Sequence, residues 1–163
     1  MPDSSSVLID ADTARFLLSG LSIGVAARDA AGRPSIARAC GLRLPPDRSS
    51  LRVLVVRDQA LDLLADVEAL GMAAAVFSEV SSHRTLQIKS TQTRVEPADG
   101  DDLAALDAQV ERFAATLDAI GHAPEFTAAL LGQRGQAIAA IVMRPEQVYS
   151  QTPGPGAGAR LKG

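Results

Sequence analysis

The 163-residue chain has no tryptophan, one tyrosine and four phenylalanines, so aromatic platforms for stacking nucleic-acid bases are scarce. Cys40 is the only cysteine. No disulfide can form within the chain, and no cysteine-based zinc site is possible. His83 and His122 are the only histidines, too few for most transition-metal sites unless carboxylates complete them. The net charge of −3 gives no reason to expect nucleic-acid or membrane-surface binding. No apolar run is long enough to span a bilayer. The first residues carry Asp3 and Asp10 and no basic region before an apolar run, so no signal peptide is expected, and the expected compartment is the cytoplasm. There is no glycine-rich phosphate loop; Gly154, Gly156 and Gly158 alternate with proline and alanine and do not open a helix.

What is present fits one domain with a sizeable core, since 47% of residues are apolar and 21% charged. The stretch from Met72 to Pro97 organises the rest. Met72 to Phe77 is an apolar run of small residues, suited to a strand covered on both faces. Leu86 and Ile88 then alternate with Thr85, Gln87 and Lys89, the period-two sign of a strand with one wet face. Val95 falls on the face opposite Ile88, so this second strand must bend or bulge, as in small barrels. A cluster of polar donors sits along it: Ser81, Ser82, His83, Arg84, Thr85, Gln87 and Lys89.

Elsewhere the expected elements run in order. Residues 1–9 read as a leader. Asp10 or Asp12 caps a short helix with Phe16, Leu17 and Leu18. Strands follow over 21–28, 34–44 and 51–57, the first two joined by an Asp29–Arg33 turn. Asp58 reads as the cap of a helix ending at Gly71. Asp101 or Asp102 opens a helix whose Leu103, Leu106, Val110, Phe113, Leu117 and Ile120 form one apolar stripe, read as core packing. Pro124 starts a short helix to Leu131. Ala137 to Met143 is the last strand, and 151–163 is a tail without regular structure. Consecutive strands joined by short turns argue antiparallel pairing. The expected fold is mainly β with α, a six-stranded antiparallel barrel with flanking helices, whose closure removes exposed edges.

No hydrolytic constellation is visible around His83. The candidates for chemistry are cations on strands: Arg38, Arg43, Arg84 and Lys89. They either hold a phosphate or carboxylate, or cover solvated strand faces with long stems. Cys40 is either a buried inert side chain or a thiol activated by Arg38.

The order of elements, together with Gly32-Arg33-Pro34, then Arg38-Ala-Cys-Gly-Leu-Arg43, then a strand ending Val55-Val56-Arg57, and then Arg84-Thr85-Leu86-Gln87-Ile88-Lys89, resembles the FMN-binding split-barrel proteins of the pyridoxamine 5′-phosphate oxidase type. The resemblance covers roughly Leu21 to Pro97. It implies a split barrel, FMN as cofactor, a homodimer with a flavin site at each end of the interface, and an oxidoreductase of unknown substrate. It places Arg38, Arg43, Val55, Val56, His83, Arg84, Thr85, Gln87 and Lys89 at the cofactor. Where the family often carries Arg-Lys before the next helix, this chain has Asp58-Gln59-Ala60, and Asp58 would repel a phosphate. The alternative is therefore a split-barrel binding module that has lost flavin and catalysis.

Overall fold

A computed structural model describes residues 9–132 and 135–161. The reading of residues 1–8 as a leader lies outside the described residues. Ile9, placed with that leader, is instead part of the core, only 1% exposed.

Helix α1 (Ala11–Leu17) is capped by Asp10, which accepts the Thr13 N–H at 2.7 Å. Strands β1 (Ser22–Arg28) and β2 (Pro34–Ala39) form a hairpin, with Asp29 accepting two turn N–H groups at 2.9 Å. The expected strand over 34–44 is two pieces: β2, and β3 (Gly41–Arg43), which turns away at Cys40 into a different sheet. Strand β4 (Leu51–Val56) follows, then a single turn of 3₁₀ helix at Arg57–Gln59 and helix α2 (Leu61–Leu70). Asp58 therefore sits in the 3₁₀ turn and does not cap α2, whose first residue follows Ala60 without a side-chain cap. Strands β5 (Ala73–Ser78), β6 (Thr85–Ser90) and β7 (Thr93–Pro97) make up the central stretch. The phase change before Val95 is real: β6 and β7 are one long strand that changes sheets at Thr91–Gln92.

Helix α3 (Gly100–Ala119) begins two residues earlier than expected, at an Asp99–Asp102 capping box. Helix α4 (Pro124–Leu131), strand β8 (Ile138–Met143), strand β9 (Gln147–Ser150) and strand β10 (Arg160–Leu161) complete the chain. The tail thus folds back as a β9–β10 hairpin, with Arg160 opposite Tyr149. Pairing satisfies backbone groups that an unstructured tail would leave to water.

The result is α+β: among the described residues, ten strands in two antiparallel sheets, of order β10-β9-β6-β5-β1-β2 and β3-β4-β8-β7. The six expected strands become ten because two of them break at sheet changes and two short ones lie beyond Pro145. Followed round, β1, the bent β2–β3, β4, β8, the bent β7–β6 and β5 close into one ring. That ring is the six-membered barrel, split where the two sheets part.

Side chains alternate accordingly. Leu51, Val53 and Val55 of β4 and Ala139, Ile141 and Met143 of β8 fill the interior, with Ile23, Val25, Phe77 and Ile88 facing them. Leu54, Val56, Ala140 and Val142 point outward and are covered by Leu106 and Val110 of α3. Gly41 is what lets α3 lie so close: a Cβ there would stand 3.1 Å from the Leu106 Cα. Leu63, Leu64 and Val67 of α2 close one end of the interior. Among the described residues, no helix is long and apolar enough to cross a membrane.

Candidate functional site

Helix α3 covers the four-stranded sheet, and α2 turns its apolar side to the interior. Among the described residues, the outer face of the six-stranded sheet is left without such a cover. Register places its residues in rows. One row runs Arg38, Gly24, Val76, Gln87, Tyr149 across β2, β1, β5, β6 and β9. The next runs Ile36, Ala26, Ala74, Lys89, Gln147. At the standard strand spacing, Arg38 and Gln87 stand about 14 Å apart. Between them the floor is made only of Gly24, Ala26, Ala74 and Val76, a shallow trough of small side chains between taller rims. A Cβ on Gly24 would meet nothing within 4 Å. Glycine in a strand interior weakens it, and here no neighbour in the chain requires it; such positions mark close approach by another body.

Arg38 stands at the edge of this trough. Its guanidinium carbon lies 5.5 Å from the centroid of the Phe113 ring of α3, and desolvation there lowers its pKa from the ordinary arginine value. Among the described residues no carboxylate is within ion-pair reach of it. Arg57 opens the 3₁₀ turn directly after β4. Arg57 also has no carboxylate partner among the described residues. The sequence reading had passed over Arg57; the signal was the cation closing the Val55-Val56 strand.

Arg43 is differently placed. It donates to Asp99 at 2.7 Å and to Asp102 at 3.1 Å, both at the start of α3. Those carboxylates already neutralise it. Val55 and Val56 are buried, the first inside the barrel and the second under α3, and their backbones pair with β8. Thr85, Gln87 and Lys89 do share the open outer face. Thr85 is tied to the tail, its N–H donating to the Thr152 hydroxyl at 3.0 Å, and Gln87 accepts from the Gln151 amide at 3.2 Å. His83 and Arg84 sit at the barrel's end, in the turn before β6. His83 is exposed with φ of 60°, and Arg84 lies over the Phe16 ring, 4.1 Å from its centroid. Cys40 is buried, burial pushes its thiol up to about 11, and its S–H donates to the Leu54 carbonyl at 3.3 Å. That is the inert role, since the thiolate is the reactive form. Among the described residues, no group of three potential ligands is placed to hold a metal.

The sequence matches no protein-family model and no curated protein. Solved structures do share its architecture. HupZ of Group A Streptococcus superposes with a TM-score of 0.55 at 15% identity, over 91% of this chain and 99% of that one. A pyridoxamine 5′-phosphate oxidase-related, FMN binding protein from Nostoc punctiforme gives 0.52 at 13% identity, over 93% and 89% of the two chains. A Clostridium acetobutylicum protein of the pyridoxinephosphate oxidase family, related to general stress protein 26, gives 0.51 at 12% identity, over 93% and 92%. The fold is the pyridoxamine 5′-phosphate oxidase-like split barrel. Likeness at this identity establishes the architecture, and the assignment of cofactor must come from the residues themselves.

Proposed function

We propose that this split barrel binds FMN on the outer face of its six-stranded sheet, between two copies of the chain, and works as an oxidoreductase. The observation that carries the reading is Arg38: a cation partly desolvated by Phe113 with no carboxylate to meet it. Desolvating a charge without a partner is unfavourable, so the position favours an anion. The phosphate of FMN supplies one, and Arg57, in the turn after β4 and likewise without a carboxylate among the described residues, is a second candidate to meet it. The FMN-binding name of the Nostoc punctiforme neighbour supports the same reading. When bound, the flavin supplies the hydride chemistry.

The chain's own contributions are distinct. Arg38 and Arg57 neutralise the phosphate. Gly24, Ala26, Ala74 and Val76 leave room for a flat group or for the facing copy, and Thr85 and Gln87 offer polar groups at its rim. The partner copy, laid on the same face by a two-fold axis, excludes water from the trough. Arg43 is left out, because Asp99 and Asp102 already hold it.

That engagement, with Asp58 near the expected phosphate grip, favours a second reading: a barrel that keeps the interface and binds another ligand in place of flavin. Purified protein separates the two. The flavin reading expects the absorbance bands of oxidised flavin, or quenching of flavin fluorescence when FMN is added to colourless protein. Protein that is colourless and leaves the fluorescence of added FMN unchanged overturns it in favour of the second.

A further inference from the structure

Beyond Arg38 and the flavin reading, the same sheet face carries a cleft of about 520 Å³ toward its other end, continuous with the trough at Ala26 and Ala74. Its walls are largely apolar, built on Ala26, Ala74 and Met72, with Arg28 and Lys89 at its sides. Arg28 makes one side-chain hydrogen bond, to the Asp29 carbonyl at 3.3 Å; the nearby Asp29 carboxylate is taken by Arg33 at 2.7 Å. Lys89 lies 5.0 Å from the centroid of the Tyr149 ring. Neither cation has a carboxylate within ion-pair reach among the described residues.

One carboxylate does line the cleft. Glu146 accepts from the Thr91 N–H at 3.0 Å, from the Thr91 hydroxyl at 2.9 Å and from the Gln92 amide at 3.1 Å. It is held by those three donors and ties the β6–β7 bend to the loop before β9. It makes no ion pair with either cation, but its negative charge stays in the lining. The register puts Ala26, Ala74 and Lys89 in one row, with Arg28 two residues along β1. The Cα atoms of Arg28 and Lys89 are then about 12 Å apart, a span that two long side chains close around a single group.

We infer that this cleft is a binding site for a small organic acid, with its carboxylate between Arg28 and Lys89 and its apolar body on Ala26, Ala74 and Met72. Arginine takes the carboxylate by its planar fork and lysine as a point charge. Arg28 and Lys89 against the Glu146 carboxylate leave the lining one positive charge in excess. That matches a monoanion, where a phosphate monoester would bring more negative charge than the walls balance. Most of the lining is alanine, methionine and backbone, so the body of the ligand contributes affinity by burial.

Amide NMR of the intact protein tests this with benzoate, benzyl alcohol and phenyl phosphate as probes. Benzoate should saturably shift the amides of Ala26, Ala74, Lys89 and Thr91, and benzyl alcohol at the same concentration should not. Lys89→Met and Arg28→Gln should each weaken benzoate by about tenfold or more, both side chains being exposed and removable without loss of core. Unchanged thermal midpoints would show that the variants fold. Benzyl alcohol binding as well as benzoate, affinity unchanged in both variants, or phenyl phosphate binding more tightly than benzoate would each overturn the assignment. No flavin is needed in the titration, so its failure is read separately from a failure of the flavin reading.

Discussion

Asp102 of α3 grips Arg52 of β4 with both carboxylate oxygens, Nε to Oδ1 at 2.9 Å and Nη2 to Oδ2 at 2.7 Å. Asp102 is fully buried, and it also accepts the Asp99 N–H at 3.0 Å and the Arg43 guanidinium at 3.1 Å. Arg52 turns its remaining guanidinium nitrogen, Nη1, to Glu96 of β7 at 2.5 Å. One carboxylate thus caps α3 and fixes the helix to β3 and β4 of the four-stranded sheet. Desolvation pushes the Asp102 pKa up, but the bonds from Arg52 and Asp99 more than offset it, and the carboxyl ends below the ordinary aspartate value.

Replacing Asp102 by asparagine should therefore be among the most destabilising single changes in the chain. It leaves the buried Arg52 with Glu96 as its one charged partner, and breaking one side of a buried pair costs about 3–5 kcal/mol. Urea unfolding, followed by circular dichroism, reads this directly. A loss within the small range of surface substitutions would mean that the pair is not formed in solution.

The same cluster sets the response to acid. Glu96 is held below the ordinary glutamate value, chiefly by its bond from Arg52 and then by Arg94, in the same direction as Asp102. A carboxylate whose folded pKa is lowered contributes stability above its unfolded pKa and loses it as pH falls through the folded one. The unfolded values are about 3.9 for Asp and about 4.3 for Glu. Stability from this cluster should be intact at neutral pH and fall away below about pH 4. Asp102→Asn should flatten that acid limb. An acid limb of the same steepness in the variant would assign it to other carboxylates.

The open face makes a second prediction through Gly24. Its Cβ position is free in a single chain, so Gly24→Leu should fold. Leucine would fill the trough, and a two-fold partner would meet it from both sides. Sedimentation equilibrium should then give a folded monomer where the parent chain gives a dimer. A Gly24→Leu variant that remains as dimeric as the parent removes this face from the interface.

Much of this architecture is legible in the chain. The alternation of Leu86 and Ile88 with Thr85, Gln87 and Lys89 marks β6 as a strand with one open face, and it has one. The shift of phase at Val95 announces the sheet change. The corresponding bend at Cys40 is hidden, because Ala37, Ala39, Cys40 and Leu42 are all buried, whichever face they occupy. Ala39 to Leu42 are buried one after another and leave no alternation from which to read a turn, although Ile36 and Arg38 before them are exposed. Strands β9 and β10 are four and two residues long, too short for any period to develop. The fate of Arg43 was illegible for another reason. Its partners lie at the start of α3, across four intervening strands and a helix in sequence, and only the folded chain brings them together. For Arg38 the sequence gives the cation, and the fold supplies the missing fact that no carboxylate meets it.

The tail is no loose end, and truncation tests what it holds. The Ser150 N–H donates to the Ala159 carbonyl at 2.9 Å, and the Gly158 N–H returns to the Ser150 carbonyl at 2.7 Å. Gln151 donates its N–H to the Thr85 carbonyl at 2.8 Å, and the Thr85 N–H goes to the Thr152 hydroxyl. Ending the chain after Ser150 leaves the start of β6 without both partners. At about 0.5–1.5 kcal/mol per hydrogen bond, the truncated protein should fold but lose about 1–3 kcal/mol. Hydrogen exchange should be faster at Thr85 than in the full chain. Equal exchange and equal stability would show that the hairpin does not hold β6.

The last prediction joins the cofactor to the dimer. If FMN lies between two copies, it binds the folded dimer and neither the unfolded chain nor the monomer. Free FMN at about 100 times its Kd then adds about 2.7 kcal/mol to apparent stability, and it shifts the monomer–dimer equilibrium toward dimer. Arg38→Ala removes one charge-assisted bond to the phosphate, a loss of about 1.5–3 kcal/mol and so about tenfold or more in affinity. The side chain is exposed and has no ion pair to break, so the apo variant should unfold at the parent's temperature. Its thermal midpoint should rise less than the parent's at equal FMN. Riboflavin, which has no phosphate, should not distinguish the two proteins, because Arg38 has nothing to hold there. A parent chain that is monomeric at micromolar concentration with and without FMN sinks the shared-site arrangement. An Arg38→Ala variant with unchanged FMN affinity moves the phosphate elsewhere, and Arg57→Ala is then the variant to measure.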